Sequence, residues 1–439
     1  MSDKFKKTQQ LLNSVSPTLC LAKWQQVTIH LQNGHTHSCH HPQTHKIPLE
    51  EIKENPSALH NTKYKKEQRK LMLEGKRPSE CHYCWAVEDS AGEHYSDRIK
   101  KSANKTWAAP YFDEVKNNDH NYDVIPKQIE VSFGNVCNMK CLYCGPVFSS
   151  DWWSEIKNHG PYPTQDSYNN LEWIAETDRT PYLNRELNPY VEAWWKWWPT
   201  IRNQLKVLRI TGGEPLLNHN TQKLLNDIQQ NPLPDLQLEI NSNLAISNKL
   251  LKDFVIQLKV LVQEKKIKSI LIHTSCDTHG EQAEYIREGL IYNEWLDNCE
   301  YVLQNDIPIH VMVTANQLCI DRFYVFLQDL YSLKEKYKLT YGISLLNNPP
   351  FLDVRNLPKT EYWNAKFNKV LAYVSENKFT NTNELNYIIR LKNYYTQSTL
   401  TKEQLEKNKN DLLKFVREID RRRNKNFTNT FTTFINHIS

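Results

Sequence analysis

Six short runs rich in Val, Ile, Leu and Thr punctuate the middle of this 439-residue chain, at 128–133, 207–211, 236–241, 269–275, 309–315 and 341–346. Most of them alternate or are continuously apolar, as strands are. From the second to the sixth they recur at intervals of roughly 30 to 40 residues, and the gaps hold helical spacing, as at 221–228 and 250–262. Strand, helix, strand at that period predicts parallel pairing through right-handed crossovers. The expected fold class is α/β, a partial (β/α)6 TIM-like barrel, whose reactive loops would lie at the carboxyl ends of the strands. The gap after the first run breaks the rhythm and contains Trp152, Trp153, Trp173, Trp194, Trp195, Trp197 and Trp198. It predicts a Trp-rich insertion at about 150–205, either a packed helical subdomain or an aromatic-walled lid over a substrate.

Composition narrows the class. With 39% hydrophobic and 24% charged residues the chain reads as an ordinary soluble protein, and no apolar run approaches the roughly 18 residues of a membrane span. Residues 1–12 carry lysines but no apolar signal region, so no secretory signal and no membrane is expected and the location is cytoplasmic. The net charge of +5 is too mild to imply a nucleic-acid partner. In a reducing compartment, clustered cysteines read as metal ligands or catalytic groups rather than disulfides. Seven of the ten cysteines fall into two clusters.

Cys137, Cys141 and Cys144 form a CxxxCxxC loop directly after the first strand. Three thiolates can hold three irons of a 4Fe-4S cluster and leave the fourth open. A closed structural zinc site needs a fourth protein ligand, and none is obvious nearby. Asn135, Asn138 and Lys140 make the loop too polar for core. Gly212-Gly213-Glu214-Pro215 follows the second strand at once. Paired glycines let backbone approach a ligand closely, and a carboxylate accepts from an ammonium; a tight strand-to-helix turn fits the same residues. Both motifs fall at strand ends, on the rim where such a barrel gathers its reactive loops.

The CxxxCxxC spacing, Tyr143 before the last cysteine and the Gly-Gly-Glu-Pro run resemble the radical S-adenosylmethionine (SAM) superfamily. The resemblance implies a 4Fe-4S cluster on the three cysteines and SAM chelated to its open iron. One electron from the cluster would cleave SAM to a 5′-deoxyadenosyl radical, which takes a hydrogen atom from the substrate. It implies SAM contacts from Tyr143, Gly212, Gly213, Glu214, Ser275 and Arg287, with Gly212, Gly213 and Glu214 on the SAM amino group. Ser275, ahead of Asp277, Gly280, Glu284, Tyr285, Ile286 and Arg287, resembles the serine-plus-arginine contacts to ribose and carboxylate. The ordinary alternative is a strand-end cap at Ser275 and a surface helix residue at Arg287. Asn241, Ser242 and Asn243 close the third strand. Cys276, Cys299 and Cys319 show no metal spacing and read as small apolar residues.

Near the amino terminus, Cys20, Gly34-x4-Cys39 and Cys81-x2-Cys84 resemble the auxiliary-cluster modules called SPASM or twitch domains. The resemblance implies a second 4Fe-4S cluster on Cys20, Cys39, Cys81 and Cys84, saturated and so suited to electron transfer. These modules normally follow the barrel, whereas here the module precedes it. The alternative is structural zinc, since His35, His37, His40, His41 and His45 crowd Cys39 and could join Cys81 and Cys84. The expected order is a twitch-like module at 1–110, a radical SAM core at 123–350 and a helical region at 351–439. In the tail Leu391, Tyr394, Leu405, Leu412, Leu413 and Phe415 are expected to be buried. Arg421, Arg422, Arg423 and Lys425 read as a solvated helix face.

Relatives with auxiliary modules commonly modify peptides, and others act on small molecules, so the expected partners are a peptide or small-molecule substrate and an external electron donor such as flavodoxin or ferredoxin. Two other readings stand beside this one: radical SAM modification of RNA or a nucleotide, and a zinc-stabilised binding protein without catalysis.

Overall fold

The computed structural model describes residues 2–90, 94–165, 169–183, 186–397 and 399–436. Among them eleven strands are assigned: β1 Gln26–His30, β2 His35–His37, β3 His45–Lys46, β4 Gln128–Ser132, β5 Lys140–Cys141, β6 Val207–Thr211, β7 Leu233–Asn241, β8 Ile267–Ser275, β9 Arg287–Glu288, β10 Ile309–Ala315 and β11 Leu339–Leu345. All six expected runs are strands, namely β4, β6, β7, β8, β10 and β11. The fold is mixed α/β with parallel strands.

The chain packs as two compact units that interleave along the sequence. The first takes in Met1–Gly134, Asp178–Glu239 and Glu264–Ser269, the second Asn135–Thr177, Ile240–Gln263 and Ile270–Ser439. β7 and β8 begin in the first and end in the second.

In the first unit β6, β4 and β1 pair side by side in parallel, with Gln128 opposite both Val207 and Gln26. β1 is a strand that the periodic pattern did not reveal, because it lies a hundred residues before its partner β4. It turns back through β2 and β3 in antiparallel pairing. Val27, Ile29, Ile129, Val131, Leu208 and Ile210 are buried on these strands. The helix Pro189–Ile201 starts with proline at its first position and Asn188 capping Tyr190 N at 2.9 Å. Its Trp194, Trp197 and Trp198 are buried, and Trp194 and Trp198 stack at 5.6 Å.

In the second unit β8, β10 and β11 are parallel, with Ile309 opposite Ile272 and Leu339. β10 alternates buried and half-buried residues along its whole length, the mark of a strand with two unlike faces. Trp152 of the helix Ser150–His159 is fully buried here, whereas Trp173 stays 42% exposed. The tail forms three long helices, Glu361–Glu376, Thr382–Gln397 and Lys402–Arg423, the last opened by a Thr401–Gln404 capping box. Leu391, Leu412 and Phe415 are buried as expected; Tyr394, Leu405 and Leu413 are half-buried, and Tyr395 is buried in place of its neighbour.

The basic run near the end corrects its sequence reading. Arg421 is exposed, but the side chains of Arg422 and Arg423 are buried, at 2% and 0% exposure. Arg423 Nε donates to Glu155 at 3.0 Å, its Nη1 to the Lys140 carbonyl at 3.0 Å, and its guanidinium covers the Trp152 ring. Arg422 donates to the carbonyls of His159, Gly160 and Pro161. A guanidinium can be buried in this way because its fixed fork of donors meets carboxylate and carbonyl oxygens together.

Candidate functional site

Cys137, Cys141 and Cys144 lie in the second unit, all half-buried. Their loop is held from several sides. Lys140 and Cys141 form β5, which pairs antiparallel with β9 so that Cys141 faces Arg287. Leu142 N donates to the Ile286 carbonyl at 2.9 Å. Cys137 N donates to Ser150 Oγ at 3.1 Å, Asn138 Nδ2 donates to the Ala245 carbonyl, and Asn138 Oδ1 accepts from Asn243 Nδ2 at 2.8 Å. Gly289, at φ +101°, passes so close that a β-carbon there would lie 2.4 Å from the Asn138 carbonyl oxygen. Only a residue without a side chain allows that approach.

Arg287 is neither a surface residue nor an unpaired arm. It is 5% exposed, and its Nε and Nη2 each donate to the Asp277 carboxylate at 3.0 Å. Its Nη1 lies 3.6 Å from Cys141 Sγ, and its guanidinium sits over the Tyr143 ring. Tyr143 Oη donates to Asp277 at 2.7 Å, and Thr314 N donates to the same carboxylate at 2.8 Å. Burial raises the Cys141 thiol while the Arg287 charge pulls it back; burial pushes Cys144 up to about 12. The network thus joins Cys141, Tyr143 and Arg287 through Asp277, to which the sequence reading assigned no role. The available signal was its position, two residues past the end of β8. Ser275 is the last residue of β8, half-buried, opposite Met312 of β10.

Gly212, Gly213 and Glu214 lie in the first unit, just after β6. Gly212 has φ +133°, and a β-carbon there would meet the Gly134 carbonyl oxygen at 2.9 Å and Ser132 Oγ at 3.0 Å. Gly213 N donates to that same carbonyl at 3.3 Å. Glu214 is 1% exposed and caps the turn Pro215–Leu217 by accepting from Leu216 N at 3.0 Å.

The four amino-terminal cysteines, scattered over 65 positions between Cys20 and Cys84, meet in the first unit. Cys20, Cys39, Cys81 and Cys84 line one small cavity, together with Lys23 and Arg98. Burial raises the thiols of Cys20, of Cys81 to about 12 and of Cys84 to about 11. Gly34 occupies the β1–β2 turn with the Tyr190 ring against it.

The neighbouring histidines are engaged elsewhere. His35 Nε2 bonds to the Asp178 carbonyl at 2.8 Å, His37 Nδ1 to the Cys39 carbonyl, and His45 Nε2 to Thr62 Oγ1 at 3.1 Å. His40, His41 and Asp97 are the one set of three or more His, Cys, Asp or Glu among the described residues whose ligand atoms all lie within 4.8 Å. Lys101 Nζ, however, donates to His40 Nδ1 at 2.9 Å. The other ring nitrogen, Nε2, faces Asp97 at 3.6 Å. Cys276, Cys299 and Cys319 are fully buried, as small apolar residues are. No helix among the described residues is long and apolar enough to cross a membrane.

No protein-family model and no curated protein sequence matches the chain. Among solved structures it is similar to Streptococcus suis SuiB bound to S-adenosylmethionine, at 13% identity over 82% of this chain and 71% of that one, TM-score 0.37. SuiB bound to its precursor peptide SuiA aligns at 11% identity over 83% and 71%, TM-score 0.37. Native anSMEcpe with bound AdoMet aligns at 14% identity over 55% and 56%, TM-score 0.32.

Proposed function

We propose that this chain is a cytoplasmic radical SAM enzyme with two iron-sulfur clusters, acting on a peptide or small molecule and reduced by an external donor such as flavodoxin or ferredoxin. The observation that carries the reading is the clamped CxxxCxxC loop, with the Arg287 guanidinium beside Cys141 Sγ. A cluster on Cys137, Cys141 and Cys144 would supply reductive cleavage of SAM to a 5′-deoxyadenosyl radical. The donor set suits it: three half-buried sulfurs on a loop whose backbone is fixed by β9, Ser150 and the residues after β7. In the second unit, Tyr143 and Ser275, at the end of β8, would bind SAM. Arg287, already paired to Asp277, would orient Cys141 and Tyr143.

In a twitch-like module, Cys20, Cys39, Cys81 and Cys84 would hold the second cluster, which accepts the electron left on the substrate after hydrogen abstraction. One observation favours it over zinc: the cavity is lined by all four cysteines, while the histidines bond to other groups.

The test is iron, acid-labile sulfide and zinc per chain after anaerobic reconstitution, followed by SAM turnover under dithionite. About eight irons and release of 5′-deoxyadenosine are expected. About four irons with one zinc would remove the second cluster, and zinc without iron would overturn the whole reading. Substrate binding that weakens steeply with salt would point to RNA instead.

A further inference from the structure

Three cations, Lys23, Arg98 and Lys101, line the four-cysteine cavity, and each is paired with a group outside its wall. Arg98 turns Nε and Nη2 to Glu88 and Nη1 to the Leu19 carbonyl. Asp97 is bonded to His41, and Lys101 to His40. Lys23 lines the cavity, its side chain is 3% exposed, and its ammonium pairs with Glu80, which does not line the cavity. The placement is rigid, because Lys23 N donates to the Cys20 carbonyl at 3.0 Å and Glu80 immediately precedes Cys81. Burial raises the thiols of both Cys20 and Cys81 and the Lys23 charge pulls them down, so its ammonium acts on the sulfurs as well as on Glu80.

A cubane held by four thiolates is a dianion, and taking up one electron makes it a trianion. In a buried site each added negative charge is costly unless a cation is close. We propose that Lys23 sets the reduction potential of the cluster held by Cys20, Cys39, Cys81 and Cys84, its ammonium favouring the reduced state while Glu80 opposes it. Lys23 is thus a positioning residue that makes this centre an electron acceptor. The inference rests on the two-cluster reading above and adds to it the residue that governs the direction of electron flow.

The experiment is an EPR-monitored dithionite titration of the full chain carrying Cys137→Ala, Cys141→Ala and Cys144→Ala, so that only the amino-terminal cluster reports. Iron is counted first: a chain without iron at the four cysteines overturns the two-cluster reading and this proposal together. With iron present, the potential that half-reduces the parent chain is applied to Lys23→Met and to Glu80→Gln. The expected reduced-to-oxidised ratio falls at least roughly tenfold in Lys23→Met, a shift of about 59 mV for one electron, and rises in Glu80→Gln. Glu80→Gln keeps the lysine and its burial, so it reads the electrostatics even where Lys23→Met does not fold. An unchanged ratio in the variants, or shifts of the same sign in both, overturns the role of Lys23 while leaving the cluster in place.

Discussion

Replacing Gly289 with alanine tests whether close backbone approach from β9 holds the three-cysteine loop in register. At φ +101° an alanine is strained, and its β-carbon would sit 2.4 Å from the Asn138 carbonyl oxygen, 3.3 Å from Met139 Cγ and 3.4 Å from Met139 Cα. The backbone strain costs about 1–3 kcal/mol. Relieving contacts that tight adds an overpacking cost of about 1–3 kcal/mol, because two of the three atoms are backbone and cannot rotate away. A central sum of about 4 kcal/mol corresponds to a fall in Tm of about 8–16 °C for a domain of this size. Asn138 and Met139 lie between Cys137 and Cys141, so the displaced loop should also lose the iron bound there. Gly280→Ala is the control: it too has positive φ, +61°, but nothing within 4 Å of the added carbon, so only about 1 kcal/mol is expected. Differential scanning calorimetry with an iron assay on both variants decides the matter. Equal Tm values for the two, with full iron in Gly289→Ala, would refute the clamp.

Asp277→Asn leaves the buried Arg287 without its charge partner; chemical denaturation should show a loss of about 3–5 kcal/mol, and a loss under 1 kcal/mol would show the pair to be dispensable. Arg423→Met removes one of the two cations on the buried Glu155 carboxylate, leaving Lys140 Nζ at 2.8 Å, and should cost less, about 1.5–3 kcal/mol. Glu155 is held down to about 2 despite burial by the Arg423 charge and hydrogen bonds. That stabilisation is present above the unfolded carboxyl range near ~4.3 and disappears as pH falls toward the folded value, so the cost of Arg423→Met measured at pH 7 should shrink in acid. His30, His37 and His45 are held by burial at about 3, about 4 and about 2. Their unfolded rings take up protons below about 6.5, so the first unit should lose stability as pH drops from there, and a Tm flat from pH 7 to pH 5 would contradict their burial as neutral rings.

Strand identity was legible in the sequence because alternation and apolar runs act over five to nine residues. Every expected run is a strand, β4, β6, β7, β8, β10 and β11, whereas the antiparallel pieces β5 and β9 are too short to carry a period. The cysteine spacing was legible for the same reason, since three ligands on one loop are a local pattern. What lay beyond reach were pairings of distant residues. β1 joins β4 across a hundred positions, and Cys20 meets Cys84 across sixty-four. The basic run Arg421–Arg423 shows the limit most plainly. Its composition is that of a solvated face, but Glu155 and the Lys140 carbonyl lie more than 260 residues away in sequence, and they turn Arg423 inward.

By itself, then, the amino-acid sequence determined which segments extend, which coil, and which thiols can act together on one loop, because propensity and ligand spacing are near-neighbour properties. Only the tertiary structure decided the partners of charge: Arg287 to Asp277, Arg423 to Glu155, and Lys23 to Glu80. A buried charge takes whichever opposite charge the packed fold brings within reach, and that choice is made across the whole chain rather than along it.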